Sequence, residues 1–226
     1  MPVGFRVRPH RGAKVSAETV ERFRSIPVAN VSDSMSRVVA GGPRLRPMHR
    51  DGVMAGPALT AKTRPGDNLM LHKAIDMASP GDVIVYDAGG DVTNAVFGEL
   101  MLAHAIRRGV AGLVIYGAIR DADGLRARNL PVFALGVTHR GPSREGPGEI
   151  GYPIAIEGMV IQPGDLVMGD GDGVVCVPYG DLEAVYEAAK KKNDAENRQM
   201  EQTEAGQLDR SWVDQTLQRL GCSFEG

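Results

Sequence analysis

Apolar residues in this chain gather into short runs separated by clusters of Gly, Pro, Asp and Asn. Four runs predict β-strands: VMAGPALTAKT (53–63), DVIVYDA (82–88), GLVIYGA (112–118) and PVFALGV (131–137). The third, within GVAGLVIYGAI, has no polar alternation and reads as a buried strand. Between the first two, PGDN (65–68) is a turn whose Asp67 or Asn68 caps a helix over LMLHKAIDMA. FGELMLAHAIRRG (97–109) predicts a second helix: Leu100, Ala103 and Ile106 follow its spacing, Arg107 and Arg108 suit its C-terminal dipole, and Gly109 ends it.

The flanks follow a different pattern. Residues 15–40 read as two short helices, with Ser32 and Asp33 either capping the second or lining a site. THRGPSREGPGEIGY (138–152) has no period and reads as a surface loop able to line a cavity. YPIAIEGMVIQPGDLVMGDGDGVVCVP breaks into several β runs at Gly, Pro and Asp turns. DLEAVYEAAKKKNDAENRQMEQTEA then predicts a long amphipathic helix with Leu182, Val185, Ala188 and Ala189 on one face. Trp212, Leu217 and Leu220 in the tail are expected to pack against the body or a neighbouring subunit. With no internal repeat and no Pro/Ser-rich linker, the chain reads as one α/β domain over residues 1–226, helical at both ends.

Composition narrows the function classes. The 226 residues carry a net charge of −2 and 5% aromatics, which gives neither the basic footprint nor the stacking platforms of a nucleic-acid binder. No apolar run is long enough to cross a bilayer, and the basic N-terminus lacks the apolar segment of a secretory signal, so a cytoplasmic protein is expected. Cys176, inside GVVCVP, reads as a buried strand thiol, and Cys222 lies too far along the chain to share a ligand spacing with it.

Chemistry concentrates where the helix at 97 and the strand at 112 meet. A helix start offers free N–H groups and the positive end of the macrodipole, a ready site for a carboxylate or phosphate. Glu99 in that first turn either stabilises the dipole or ligates something bound there. Arg120-Asp121, where the strand stops, is either an exposed turn or a clamp: the arginine fork suits a carboxylate, and the aspartate suits a hard divalent cation. His72 is either a core-edge histidine or a proton-transfer group. Lys62 and Lys73 could in principle form a Schiff base but read as surface or ion-pairing residues. Asp170 and Asp172 in GDGDGVV lack the terminal glutamate of a calcium loop and read as a turn. Nucleotide-binding glycine loops, a Walker lysine and a GxSxG elbow are all missing from the sequence.

Taken together, PGDNLMLHKA, FGELMLAHAIRRGVAGLVIYGAIRD and PGDLVMGDGDGVVCVP resemble the RraA-like family over about residues 20–195. The most specific element is an acidic residue, twenty intervening residues and then Arg-Asp, here Glu99 and Arg120-Asp121. The family includes class II pyruvate aldolases that cleave 4-hydroxy-4-methyl-2-oxoglutarate and 4-carboxy-4-hydroxy-2-oxoadipate. The resemblance implies an α-β-β-α swivelling-type sandwich with a C-terminal helical extension over about 181–226. It also implies assembly as a homotrimer or homohexamer with sites between subunits. Arg120 would bind the pyruvyl side of a 2-oxo acid and stabilise an enolate. Asp121, with Glu99 in the place of a family aspartate, would hold Mg²⁺ or Mn²⁺. The amides of Gly98, Glu99, Leu100 and Met101 would receive the substrate carboxylate, and His72 would stand beside them. The same site would decarboxylate oxaloacetate. Other members of the family bind ribonuclease E, and the complete acid…Arg-Asp set favours chemistry over that regulatory role.

Overall fold

The computed structural model describes residues 4–9, 12–38 and 41–224. In chain order the strands are β1 (Phe5–Val7), β2 (Arg46–Pro47), β3 (Met54–Thr63), β4 (Val83–Asp87), β5 (Ala95–Phe97), β6 (Gly112–Ile119), β7 (Val132–Val137), β8 (Gly148–Ile150), β9 (Ile154–Ile156), β10 (Met159–Ile161), β11 (Leu166–Asp170) and β12 (Gly173–Val177). The helices are α1 (Ala17–Arg24), α2 (Val28–Ser34), α3 (Leu69–Met77), α4 (Glu99–Arg108), α5 (Ala122–Arg128), α6 (Leu182–Glu204) and α7 (Ser211–Arg219). This is the mixed α/β class that the runs predict.

The four apolar runs lie side by side as β3, β4, β6 and β7, all parallel, with α3, α4 and α5 in the crossovers. Their lack of alternation has a direct cause, since both faces are covered. Ile84, Tyr86, Leu113 and Ile115 meet Leu71, Ile75, Leu102 and Leu125 on one side. The intervening Val83, Val85 and Val114 meet Phe133 and the hairpin residues Ile154, Ile156, Met159 and Ile161 on the other. Antiparallel β8, with β1 beyond it, extends one edge, and β2 extends the other. The first half of β3 also pairs with the β11–β12 hairpin. On that hairpin Phe23, Val31, Val185 and Ala189 of α1, α2 and α6 bury Met168, Val175 and Val177.

Several expectations change. The buried face of α4 is Met101, Leu102 and Ala105, while Leu100 is 85% exposed and Ile106 40% exposed. Both stripes are apolar, and only packing against the sheet chooses between them. On α6, Ala188 is exposed and Tyr186 takes its place, edge-on to Phe23 at 5.4 Å. The connection after β6 holds α5, and the aperiodic 138–152 segment contains β8. Ser32 and Asp33 lie inside α2 and do not cap it. The carboxylate at its start is Asp170 of the GDGDG turn, which accepts from the Val28 amide at 2.9 Å, while Asp33 pairs with Arg37 and Lys192. Helix α7 buries no residue and leaves Trp212 and Leu220 in solvent, so the body of the chain does not cover them. Cys176 is buried in β12 and Cys222 is exposed, both as free thiols. No helix among the described residues is long and apolar enough to cross a membrane.

At the PGDN turn the capping carboxylate is Asp67, which accepts from the Leu69 amide at 2.9 Å. The same side chain, fully buried, accepts from Ser143 Oγ at 2.7 Å and the Glu145 amide at 2.8 Å, fastening the 138–152 segment to the start of α3. Burial alone would raise the Asp67 pKa, but these donors outweigh it and the net shift is downward. The contribution to stability is therefore present above the unfolded pKa of about 3.9 and lost as pH falls through the lower folded value. Asp67→Asn is expected to lower unfolding free energy at pH 7 by about 1.5–3 kcal/mol. Urea melts at descending pH should show this gap closing in acid.

Candidate functional site

Strand β5 feeds directly into α4 and lies parallel to the end of β6, so the helix start and the strand terminus share one edge of the sheet. In open α/β sheets, that carboxyl edge is where ligands bind. The Arg120 amide donates to the Phe97 carbonyl at 2.9 Å, which locks the two elements together. Asp121 follows in the left-handed region (φ 56°, ψ 41°), a conformation that Asp, Asn and Gly tolerate better than other residues. The turn this creates swings its carboxylate back, and Oδ2 accepts from the Glu99 amide at 3.0 Å. Gly98 makes the approach possible: a Cβ there would stand 2.6 Å from Asp121 Oδ2 and 3.0 Å from Arg120 Cγ.

With the Glu99 amide taken, the amides of Leu100 and Met101 have no partner among the described residues at the positive end of α4. They open into a cleft of about 80 Å³ lined by Asn68, His72, Ala95, Val96, Phe97, Gly98, Leu100, Met101, Arg120, Asp121, Pro142 and Arg144. Six of the seven residues singled out from sequence meet there. Glu99 does not: its carboxylate accepts from Arg128 Nε of α5 at 3.1 Å and rests over Gly124. Arg120 Nε stands 3.7 Å from Asp121 Oδ2, and Nη1 reaches to 3.6 Å from where a Cβ of Gly141 would be. His72 is half-buried, and burial, followed by the charge of Arg144, holds its pKa below the usual histidine value.

Two lining residues were not legible as site residues. Asn68 donates Nδ2 to the Val96 carbonyl at 3.1 Å, which fixes the amide orientation and leaves Oδ1 buried with no hydrogen-bond partner among the described residues. An orphaned acceptor of this kind costs about 1–3 kcal/mol, so it marks a place where a ligand or water donor belongs. Arg144 comes from the 138–152 segment, which does line a cavity as its sequence suggests, although nothing in that sequence singles out this residue.

Among the described residues no group of three His, Cys, Asp or Glu side chains is placed to enclose a metal ion. A hydrated hard cation asks for less: Mg²⁺ is commonly held by one or two carboxylates and keeps several waters. Asp121 meets that requirement, because Oδ1 has no partner among the described residues while Oδ2 is anchored by backbone. The donor set fits such an ion.

The chain belongs to the RraA-like family, whose Aldolase/RraA model matches residues 28–176. It is 41% identical over 180 residues to a protein of Halalkalibacterium halodurans provisionally named 4-hydroxy-4-methyl-2-oxoglutarate aldolase, covering 80% of this chain and 86% of that one. A solved structure from Pseudomonas syringae pv. tomato, of uncharacterised function, superposes with a TM-score of 0.79 at 27% identity over 86% of this chain and 96% of its own. A Streptomyces coelicolor member of the RNase ES inhibitor RraA family does so at 0.73 and 26% identity, covering 82% and 97%.

Proposed function

We propose that this protein is a divalent-metal-dependent carbon–carbon lyase that releases pyruvate from 2-oxo acids of the 4-hydroxy-4-methyl-2-oxoglutarate type and decarboxylates oxaloacetate at the same site. One observation carries the reading: free helix-start amides, the Arg120 fork and an anchored aspartate with a spare oxygen converge on one small cleft. The name given to the Halalkalibacterium relative supports it.

The amides of Leu100 and Met101 bind the pyruvyl carboxylate, which the helix dipole favours. Mg²⁺ or Mn²⁺ held by Asp121 supplies Lewis-acid polarisation of the 2-oxo group when bound. Glu99 contributes through its amide, which orients Asp121. Loss of the C4-hydroxyl proton with cleavage of the C3–C4 bond leaves a carbonyl at C4. That step, or loss of CO₂ from oxaloacetate, leaves negative charge on the former 2-oxo oxygen, and Arg120 stabilises that charge. His72, kept neutral by its lowered pKa, is available to accept or relay a proton at the cleft wall. Oδ1 of Asn68 accepts a hydrogen bond from a substrate hydroxyl or a retained water. The assembly is a homotrimer or a pair of trimers in a swivelling-type sandwich fold, and the exposed Leu100 at the cleft and Ile106 further along α4 support burial against a second subunit.

The test is pyruvate release, coupled to lactate dehydrogenase, from 4-hydroxy-4-methyl-2-oxoglutarate and from oxaloacetate, in Mg²⁺ and in EDTA. Turnover that collapses in EDTA is expected, and absence of pyruvate from both substrates would sink the reading. A second reading, binding and inhibition of a ribonuclease, has the Streptomyces similarity behind it.

A further inference from the structure

Arg120 and Arg144 both line the cleft, and they differ in one respect. Arg120 is paired with Asp121, whereas Arg144 makes no ion pair or hydrogen bond among the described residues. His72, in the same lining, has its pKa lowered first by burial and then by the charge of Arg144.

We propose that Arg144 binds a second carboxylate on the substrate, so that the cleft selects 2-oxo diacids over 2-oxo monoacids. The inference rests on the lyase reading and extends it to the far half of the substrate. Charge accounting supports it. The pyruvyl carboxylate is met by the α4 amides, Arg120 serves the 2-oxo oxygen, and Asp121 is already committed to the Glu99 amide and a cation. Val96, Phe97, Met101 and Pro142 are apolar, so within this chain's own lining a distal carboxylate has one cation left to meet.

The platform under Arg144 is rigid. Ser143 and Glu145 on either side are held by Asp67, the Ser143 amide donates to the Gly66 carbonyl at 2.8 Å, and the Ser143 carbonyl accepts from the Asn68 amide at 3.0 Å. Upstream, the Ala95 amide donates to the Arg140 carbonyl at 2.8 Å and Asn94 Nδ2 donates to the Gly141 carbonyl. A guanidinium on a backbone fixed this way loses less freedom when it engages a carboxylate, and its planar fork accommodates both oxygens. Apart from the Ser143 hydroxyl, the segment joins the site through its backbone, so Arg144 can vary without disturbing the fold. That makes it a natural place for substrate choice.

Calorimetric binding of pyruvate and of 2-oxoglutarate in Mg²⁺ tests the proposal without turnover. The two share the pyruvyl head, and only 2-oxoglutarate carries the distal carboxylate. Wild type should bind 2-oxoglutarate more tightly. Arg144→Gln should weaken 2-oxoglutarate by about 10- to 100-fold and leave pyruvate within about twofold, with Arg144→Lys recovering part of the loss. Equal losses for both ligands, no loss, or no binding of either by wild type would overturn it. Retained selectivity without pyruvate release would sink the lyase reading alone. Pyruvate release with no selectivity would sink this proposal alone.

Discussion

Arg120→Lys is expected to lower kcat for pyruvate release by about 100- to 1000-fold while the protein melts at nearly the wild-type temperature. Removing one preorganised donor from a developing oxyanion typically costs about 2.7–4 kcal/mol. Lysine keeps the charge, so a site that needed only a local cation would retain most of its rate. The fork is the difference. Arg120 starts from a backbone locked to Phe97, passes Asp121, and extends Nη1 to the neighbourhood of Gly141. A lysine ammonium is a single point on a flexible stem and cannot occupy both ends of that span. Its KM for substrate should change less than kcat, because the loss falls on charge that develops in the transition state. A lysine variant that keeps half the wild-type kcat would refute the clamp role.

Asp121→Asn is the second large effect. Asparagine tolerates the left-handed conformation and keeps an acceptor for the Glu99 amide, so stability should stay within about 0.5 kcal/mol of wild type. The charge is what disappears. Turnover should fall at least about 100-fold and cease to respond to Mg²⁺, and calorimetry should show Mg²⁺ binding weakened in step. Undiminished turnover would remove the metal from the mechanism. The variant also separates the two functional readings, since inhibition of a ribonuclease asks nothing of this carboxylate. An Asp121→Asn protein that still inhibits, alongside a wild type that releases no pyruvate, would point to the regulatory role.

What could be read from sequence follows from what each element depends on. The strands β3, β4, β6 and β7 were visible because burial on both faces writes itself into their own residues. Helix α4 was visible for its caps, with Gly109 in the left-handed region (φ 72°) at its end. Its buried face was not, because Leu100, Ala103 and Ile106 are as apolar as the residues that face the core. Short β1, β5 and β8 have no period of their own and exist through their partners. The same holds for the cap on α2, which Asp170 supplies from 142 positions away. At the site, Arg120 and Asp121 were conspicuous as two charges closing an apolar run. Asn68 reads from sequence as a turn or capping residue and not as a site residue, since an unsatisfied Oδ1 is a property of its surroundings. Arg144 belongs to a segment held by Asp67 and Asn94, and neither contact leaves a mark in the segment's own composition.

The left-handed turn at Asp121 restricts which residues can stand there. Asp, Asn and Gly fit it with least strain. Of these, Asp brings a negative charge, Asn brings an acceptor of similar shape, and Gly brings neither. The scaffold can therefore accept a change from ionised to neutral at this position without registering it in folding. Selection for a stable protein is blind to that exchange, and only selection for turnover can see it. A lineage built on this turn stands one residue from becoming a folded, silent copy of itself.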